Sequence, residues 1–374
     1  MPKQDTDFLE IVAAGETDRG QRRPANEDVF LVRSDIGLYV VADGAGGHNA
    51  GNVASAIATT AVAKFFDASE AEYQSRPEVD SFGLWSGARR LSRAIQESNR
   101  AVIEIARTSN KYRGMGTTIT GVLLSPADGR LHVAHVGDSR CYRLRGGHLE
   151  CLTRDHSILS DVLELYPELE DTALANLPRK AVTRALGMEE RVRVSLHSAQ
   201  AFPGDRYLLC SDGVTGELGA AVIEELLGGS GAPAEVVRDI VRAANEMGGR
   251  DNITAVVIDC NANGEDARRP PEIRAPAGLT ERVARESPEI EVNELTPEIV
   301  LLEHSPAEEG SDPRISVVPV QSADASMIRA LDRVAVALGP RDGDRCSACS
   351  APIETWAMVC PRCGKPRAEP LPAS

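Results

Sequence analysis

Apolar and polar positions change their rhythm at Asp43. Residues 38–41 form a continuous apolar run of the kind a buried strand makes. The run stops at Asp43-Gly44, a glycine-rich turn follows, and helical spacing takes over with Val53, Ile57 and Ala61 on one face. The same reading predicts strands at residues 28–33, 38–41, 117–124, 131–136, 206–210 and 252–259, all rich in β-branched and apolar residues. It predicts helices at 50–66, 86–107 and 234–247, the second with Leu91, Ile95, Val102 and Ile105 on one face. Leu123 and His132 flank Ser125-Pro-Ala-Asp-Gly129, a turn that suits an antiparallel hairpin better than a βαβ crossover. The expected fold class is α+β with antiparallel sheets.

The periodic pattern ends near residue 260. Residues 261–345 contain no aromatic residue, nine prolines, and 17 Asp and Glu against 10 Lys and Arg. Such a stretch cannot bury enough apolar surface to order itself and reads as an acidic, flexible linker. Two islands interrupt it: Glu298-Ile-Val-Leu-Leu302, a candidate docking segment, and a short helical pattern at 322–338 that ends at Gly339-Pro340. No internal repeat is present.

Composition narrows the classes of function. The chain has 374 residues, a hydrophobic fraction of 42% and a net charge of −15. That charge argues against nucleic acid or an anionic membrane as a partner held by bulk electrostatics. A polar N-terminus with no apolar run behind it and no stretch long enough to span a bilayer make the expected location cytoplasmic.

Five places set an acid beside the end of an apolar strand: Glu27-Asp28, Asp43, Asp138, Asp212 and Asp251. Taken singly, each reads as an ordinary turn acid or helix cap. If the strands share a sheet edge, the acids converge, and converging carboxylates raise one another's pKa unless cations neutralise them. An all-oxygen site suits Mg²⁺ or Mn²⁺ better than Zn²⁺. Two such ions can activate a water and hold phosphoryl oxygens. The residues therefore point to a two-metal phosphoester hydrolase.

The motifs around these acids resemble a known family. Thr17-Asp-Arg-Gly20 with Arg23-Pro-Ala-Asn-Glu-Asp28, Val41-Ala-Asp-Gly-Ala-Gly-Gly-His48, Gly114-Met-Gly-Thr-Thr118 and Val136-Gly-Asp-Ser-Arg140 open the series. Leu152-Thr-Arg-Asp-His-Ser157, Val182-Thr-Arg-Ala-Leu-Gly187, Leu209-Cys-Ser-Asp-Gly213 and Asp251-Asn-Ile-Thr254 complete it in order. Together they resemble the bacterial branch of the metal-dependent Ser/Thr protein phosphatases of the PPM, or type 2C, group, over roughly residues 10–260. The resemblance implies a four-layer α-β-β-α sandwich with the metals at one end. It implies that Asp43 bridges two metals, that the Gly44 carbonyl and Glu27 complete the set with Asp28 acting through water, and that Asp212 and Asp251 hold the first ion. Asp138 matches the acid that, with the Asp212 position, builds a third and weaker site in several members.

By the same resemblance Arg23 grips the substrate phosphate, a task that suits a planar cationic fork. Asn252 beside Asp251 orients the site. The resemblance further implies that a hydroxide bridging the metals would attack phosphorus, with no phosphoenzyme. The leaving alkoxide takes its proton from His48 or from a metal-bound water, and His48 serves equally well as a cap of the following helix. Ala45 stands where some members carry a histidine after the Asp-Gly pair. Residues 157–174 match a flap beside the active site that takes part in substrate choice, and the pattern is equally that of a plain amphipathic helix.

The eight cysteines divide. Cys141, Cys151, Cys210 and Cys260 are single and sit in apolar or strand-like contexts, as reduced thiols do. Cys346, Cys349, Cys360 and Cys363 form C-x₂-C-x₁₀-C-x₂-C, the spacing of two zinc knuckles. They resemble the zinc-ribbon modules appended to many bacterial proteins, and a unit this small depends on its Zn²⁺ to fold. The expected organisation is a phosphatase domain at 1–260, a linker at 261–345, a ribbon at 346–364 and a tail at 365–374. Phosphorylated proteins, with a cognate Ser/Thr kinase and its substrates, are the expected partners. Two other classes stand beside this reading: a catalytically silent phosphopeptide-binding scaffold and a zinc-ribbon nucleic-acid adaptor.

Overall fold

A computed structural model describes residues 7–45, 50–74, 78–80, 83–166, 168, 181–263 and the backbone of 315–317. His48, the 298–302 island, the helical pattern at 322–338 and all four C-terminal cysteines lie outside these residues, as does part of the flap segment.

Two antiparallel sheets form the centre. One has the order β1 (Leu9–Asp18), β11 (Ile253–Ala262), β10 (Arg206–Cys210), β7 (Arg140–Arg145), β8 (His148–Cys151). The other runs β12 (Ile315–Val317), β2 (Asp28–Arg33), β3 (Leu38–Ala45), β5 (Ile119–Leu124), β6 (Arg130–Val136), β9 (Ser195–Gln200), with β4 (Gly116–Thr117) paired to the end of β3. Helices α1 (Gly51–Gln74) and α2 (Ser86–Thr108) cover the second sheet. Of the later helices, α3 (Ile158–Leu165) and the short α4 (Asp212–Thr215) lie in connections, while α5 (Ala220–Leu227) and α6 (Pro233–Glu246) cover the first sheet.

Alternation along the strands explains the layering. On β2, Val29 and Leu31 face α1 and α2, whereas Phe30 and Val32 face the other sheet. On β10, Leu208 and Cys210 pack with Ile240 and Val237 of α6, whereas Tyr207 and Leu209 enter the space between the sheets. The strands are thus apolar on both faces, which is why they read as continuous runs. Tyr39, Tyr207 and Phe30 are the largest side chains between the sheets and are fully buried. Burying Phe30 contributes about 1.5–3 kcal/mol relative to exposure.

The α+β expectation holds, and the hairpin pairs Leu123 with His132 as its turn suggested. Three details differ. The strand at 117–124 breaks at Thr118 into β4 and β5. The first helix runs on to Gln74. Residues 315–317, inside the stretch read as linker, pair with β2, Ile315 opposite Arg33 and Val317 opposite Leu31. Among the described residues no helix is long and apolar enough to cross a membrane.

Candidate metal centre

Antiparallel order brings one end of every central strand to the same place. Asp28 opens β2, and Asp43 lies directly opposite it near the end of β3. Asp138 sits in the turn from β6 to β7, Asp212 opens α4 after β10, and Asp251 stands two residues before β11. Glu27 precedes β2. Acids from both sheets therefore meet at one end of the sandwich. Two carboxylates directly opposite on paired strands repel, so this arrangement works against the fold unless something compensates it.

The electrostatics show the strain. Burial pushes the Asp43 carboxyl well above its ordinary range, and Asp28, Asp212, Asp138 and Asp251 push it further. Asp28, buried, is pushed up to about 7, mainly by burial, against a hydrogen bond from Ser211 and with Asp212 adding to the rise. Burial and then Asp212 raise Asp138 to about 6. Glu27 is raised by burial, while Arg23 and the N–H groups of Gly51 and Asn52 pull it down. Those two amides open α1, so the helix N-terminus is turned on a carboxylate. Gly44 and Gly51 allow this approach: a Cβ on Gly44 would fall 2.3 Å from the Gly51 carbonyl oxygen, and one on Gly51 2.9 Å from Glu27 Cδ.

Backbone and hydroxyl groups hold the acids. Thr118 and Thr117 grip Asp43: the Asp43 N–H donates to Thr118 Oγ1 at 3.2 Å, and its carbonyl accepts from Thr117 Oγ1 at 2.8 Å and the Thr118 N–H at 2.9 Å. Ser139 Oγ lies 2.8 Å from Thr118 Oγ1. Ser211 Oγ donates to Asp28 Oδ2 at 2.8 Å. Asn252 ties the loop that carries Arg23 and Glu27. Its Nδ2 donates to the Arg19 and Ala25 carbonyls, both at 2.9 Å, and its Oδ1 accepts from the Glu27 N–H at 2.9 Å. Arg23 Nη2 meets Asp251 Oδ2 at 2.8 Å while 47% of the Arg23 side chain stays exposed.

Sequence reasoning located the acids, Arg23 and Asn252, and gave no role to Ser211, Thr118 or Ser139. All three sit inside quoted motifs; Ser211 and Ser139 stand beside Asp212 and Asp138, an adjacency that was the available signal, whereas Thr118 has no acid beside it in sequence. Among the described residues no three His, Cys, Asp or Glu side chains are gathered as a group that could hold a metal ion; Asp251 is paired with Arg23, and Asp28 Oδ2 accepts from Ser211. The donor chemistry nevertheless fits hard cations. The acids offer only oxygen, and Asp28 Oδ1 is buried without a hydrogen-bond partner.

Residues 18–254 match the protein phosphatase 2C family. The chain belongs to that family. It is 34% identical over 257 residues to the serine/threonine phosphatase stp of Listeria innocua, covering 67% of this chain and 97% of that protein. The fold of this phosphatase 2C member is similar to that of the Mycobacterium tuberculosis serine/threonine phosphatase PstP, with a TM-score of 0.57 and 33% identity over 68% of this chain and 99% of that one. The catalytic domain of PstP in complex with two manganese ions matches with a TM-score of 0.56 and 32% identity, over 68% and 99% of the two chains. The two antiparallel sheets flanked by helices are the phosphatase 2C fold. All the acids described above, Glu27 to Asp251, fall within the matched residues.

Proposed function

We propose that the chain is a protein Ser/Thr phosphatase that hydrolyses phosphoserine and phosphothreonine at a Mn²⁺- or Mg²⁺-dependent centre. The observation that carries it is the convergence of Asp28, Asp43, Asp138, Asp212 and Asp251 at one end of a phosphatase 2C fold, with Arg23 on their rim. Asp43 would serve two ions, with Glu27 and the Gly44 carbonyl on one and Asp212 and Asp251 on the other, and Asp28 supporting them. Asp138 with Asp212 would form a third, weaker position. Bound there, such ions supply Lewis-acid activation of water and neutralise phosphoryl charge.

The chain's own residues do the rest. Arg23 is half exposed and spends Nη2 on Asp251, which leaves its other donors for the phosphate oxygens. The Thr117–Thr118 grip fixes Asp43 without spending its carboxylate. Asn252 holds the loop so that Glu27 and Arg23 keep one spacing. The partners are phosphorylated proteins, and a cognate Ser/Thr kinase with its substrates is the proposed source. Free thiols at Cys141, Cys151, Cys210 and Cys260 support a reducing, cytoplasmic setting. Cys346, Cys349, Cys360 and Cys363 are proposed to hold Zn²⁺ on the strength of their spacing.

Hydrolysis of a phosphothreonine peptide with Mn²⁺, with chelator, and by the Asp212→Ala variant tests the reading. Activity that needs the metal and collapses in the variant supports it. A folded wild-type protein with no activity returns the scaffold reading.

A further inference from the structure

His156 stands outside the ring of acids yet is hydrogen-bonded to the turn that carries one of them. Its N–H donates to the Gly137 carbonyl at 3.0 Å, and the Gly137 N–H donates back to its Nδ1 at 3.0 Å. Gly137 has φ +111°, and a Cβ there would fall 2.6 Å from Thr118 Cβ, so this backbone is tightly confined. The next residue is Asp138. On its other side, the His156 carbonyl accepts from the Thr183 N–H at 2.8 Å, and Ser157 bridges Val182. One residue thus joins the Asp138 turn to the base of the segment between 157 and 182.

The hydrogen bonds fix the ring's tautomer. A backbone N–H only donates, so Nδ1 carries the lone pair and the proton of the neutral ring sits on Nε2. Nε2–H then donates to the buried Ser195 Oγ at 2.9 Å. Arg184 Nη1 lies 3.3 Å from Nε2; burial first, then the His135 ring and the Arg184 charge, disfavours the protonated ring. His135, whose Nε2 donates to the Arg154 carbonyl at 2.7 Å, stacks on the ring with centroids 4.6 Å apart. Neither hydrogen-bonded face of His156 is open to water, and the ring is 6% exposed with its residue.

We propose that His156 is a positioning residue: its Nε2–H tautomer fixes Gly137, and through it the Asp138 carboxylate, while its backbone ties Asp138 to the base of the 157–182 segment. The role of Asp138 in this inference rests on the phosphatase reading.

Two variants and one measurement on the metal-free wild-type protein test it. His156→Leu fills space without an acceptor, and His156→Asn offers an oxygen near the Nδ1 position. His156→Leu should lower kcat on a phosphothreonine peptide about 10–100-fold and raise the Mn²⁺ concentration required by a similar factor, the range for residues that orient metal ligands. KM for the peptide should stay within about 3-fold, because binding of the ground state is not what is lost. His156→Asn should recover most of both. In metal-free wild-type protein, long-range proton–nitrogen NMR should show the proton on Nε2, and the Gly137 amide should be protected from exchange. A proton on Nδ1, a freely exchanging Gly137 amide, or equal Mn²⁺ requirements in wild type and His156→Leu would overturn the proposal. The NMR decides even if neither variant folds. A wild-type protein inactive on phosphopeptides overturns the phosphatase reading instead, and leaves the NMR result standing on its own.

Discussion

Strand β10 carries an acid at each end, and the two have opposite fates. Asp205, just before the strand, is 2% exposed and fully answered from within the chain. Arg145 Nε and Nη2 each reach it at 2.7 Å, the Tyr207 hydroxyl donates at 2.9 Å, and the Phe202 N–H donates at 2.9 Å. Asp212, just beyond the other end, faces Asp43, Asp28 and Asp138, each of which it pushes toward protonation. Arg140 opposes the rise at Asp138, and Arg23, on the rim, opposes that at Glu27. A buried acid that belongs to the scaffold arrives with its own counter-charge. At the candidate site the acids crowd one another, and Asp212 raises Asp43, Asp28 and Asp138 alike. The difference between the ends marks where an external cation is needed.

The largest expected effect comes from breaking the crowded end. Asp43→Asn should cost about 10³-fold or more in kcat, on the scale of losing a central electrostatic element. In metal-free protein the same change should raise the melting temperature, because it removes a carboxylate from a repelling group. Mn²⁺ should stabilise the wild type by about 2.7 kcal/mol at a hundredfold excess over its dissociation constant, and Asp43→Asn far less. Calorimetry with and without Mn²⁺ reads both. If metal-free Asp43→Asn melts lower than wild type, the contrast between the ends is wrong.

Breaking the satisfied end should do the reverse. Asp205→Asn leaves Arg145, which is 37% exposed, without its bidentate partner. A loss of about 2–3 kcal/mol in urea denaturation is expected, below the range for fully buried pairs because water reaches the guanidinium. Phosphatase activity of the folded fraction should hold.

A smaller effect sharpens the picture at the far end of β6. His132 is buried, hydrogen-bonded through Nδ1 to Ser198 Oγ at 2.9 Å, and its pKa is pushed down to about 4 by burial and then by Arg130. The unfolded chain takes up this proton near pH 6.5, while the folded one resists until about pH 4. His132 therefore adds full stability above pH 6.5 and loses it as the pH falls toward 4, at about 1.4 kcal/mol per pH unit. Between pH 7.5 and 5.0, His132→Leu should shed about 2 kcal/mol of the acid-side loss seen in wild type. Parallel pH profiles for the two proteins would contradict this.

How much of this was legible in the sequence depends on what each residue had to do. Buried strands such as β2, β3 and β10 were visible because both faces are apolar. The first strand was not: Leu9-Glu-Ile-Val-Ala-Ala-Gly-Glu-Thr-Asp18 is half-buried, mixed in charge and rich in small residues, so no period stands out. Short β8 is largely exposed and equally silent. The site acids were legible because each stands at one end of an apolar run beside a turn, and convergence followed from antiparallel pairing. The hydroxyls were not. Ser211 and Thr118 acquire meaning only through partners far along the chain, Asp28 and Ser139. His156 is the same case, since its contact to Gly137 spans 19 positions.

The interlayer between the sheets has a consequence for ion choice. Asp28 and Asp43 hang from one sheet, Asp212 and Asp251 from the other, and Phe30, Tyr39 and Tyr207 stand between. These aromatic side chains work as a calliper whose jaws are the acids. Trimming one of them lets the jaws close or skew, so the bite offered to an ion is gauged by residues that never touch it.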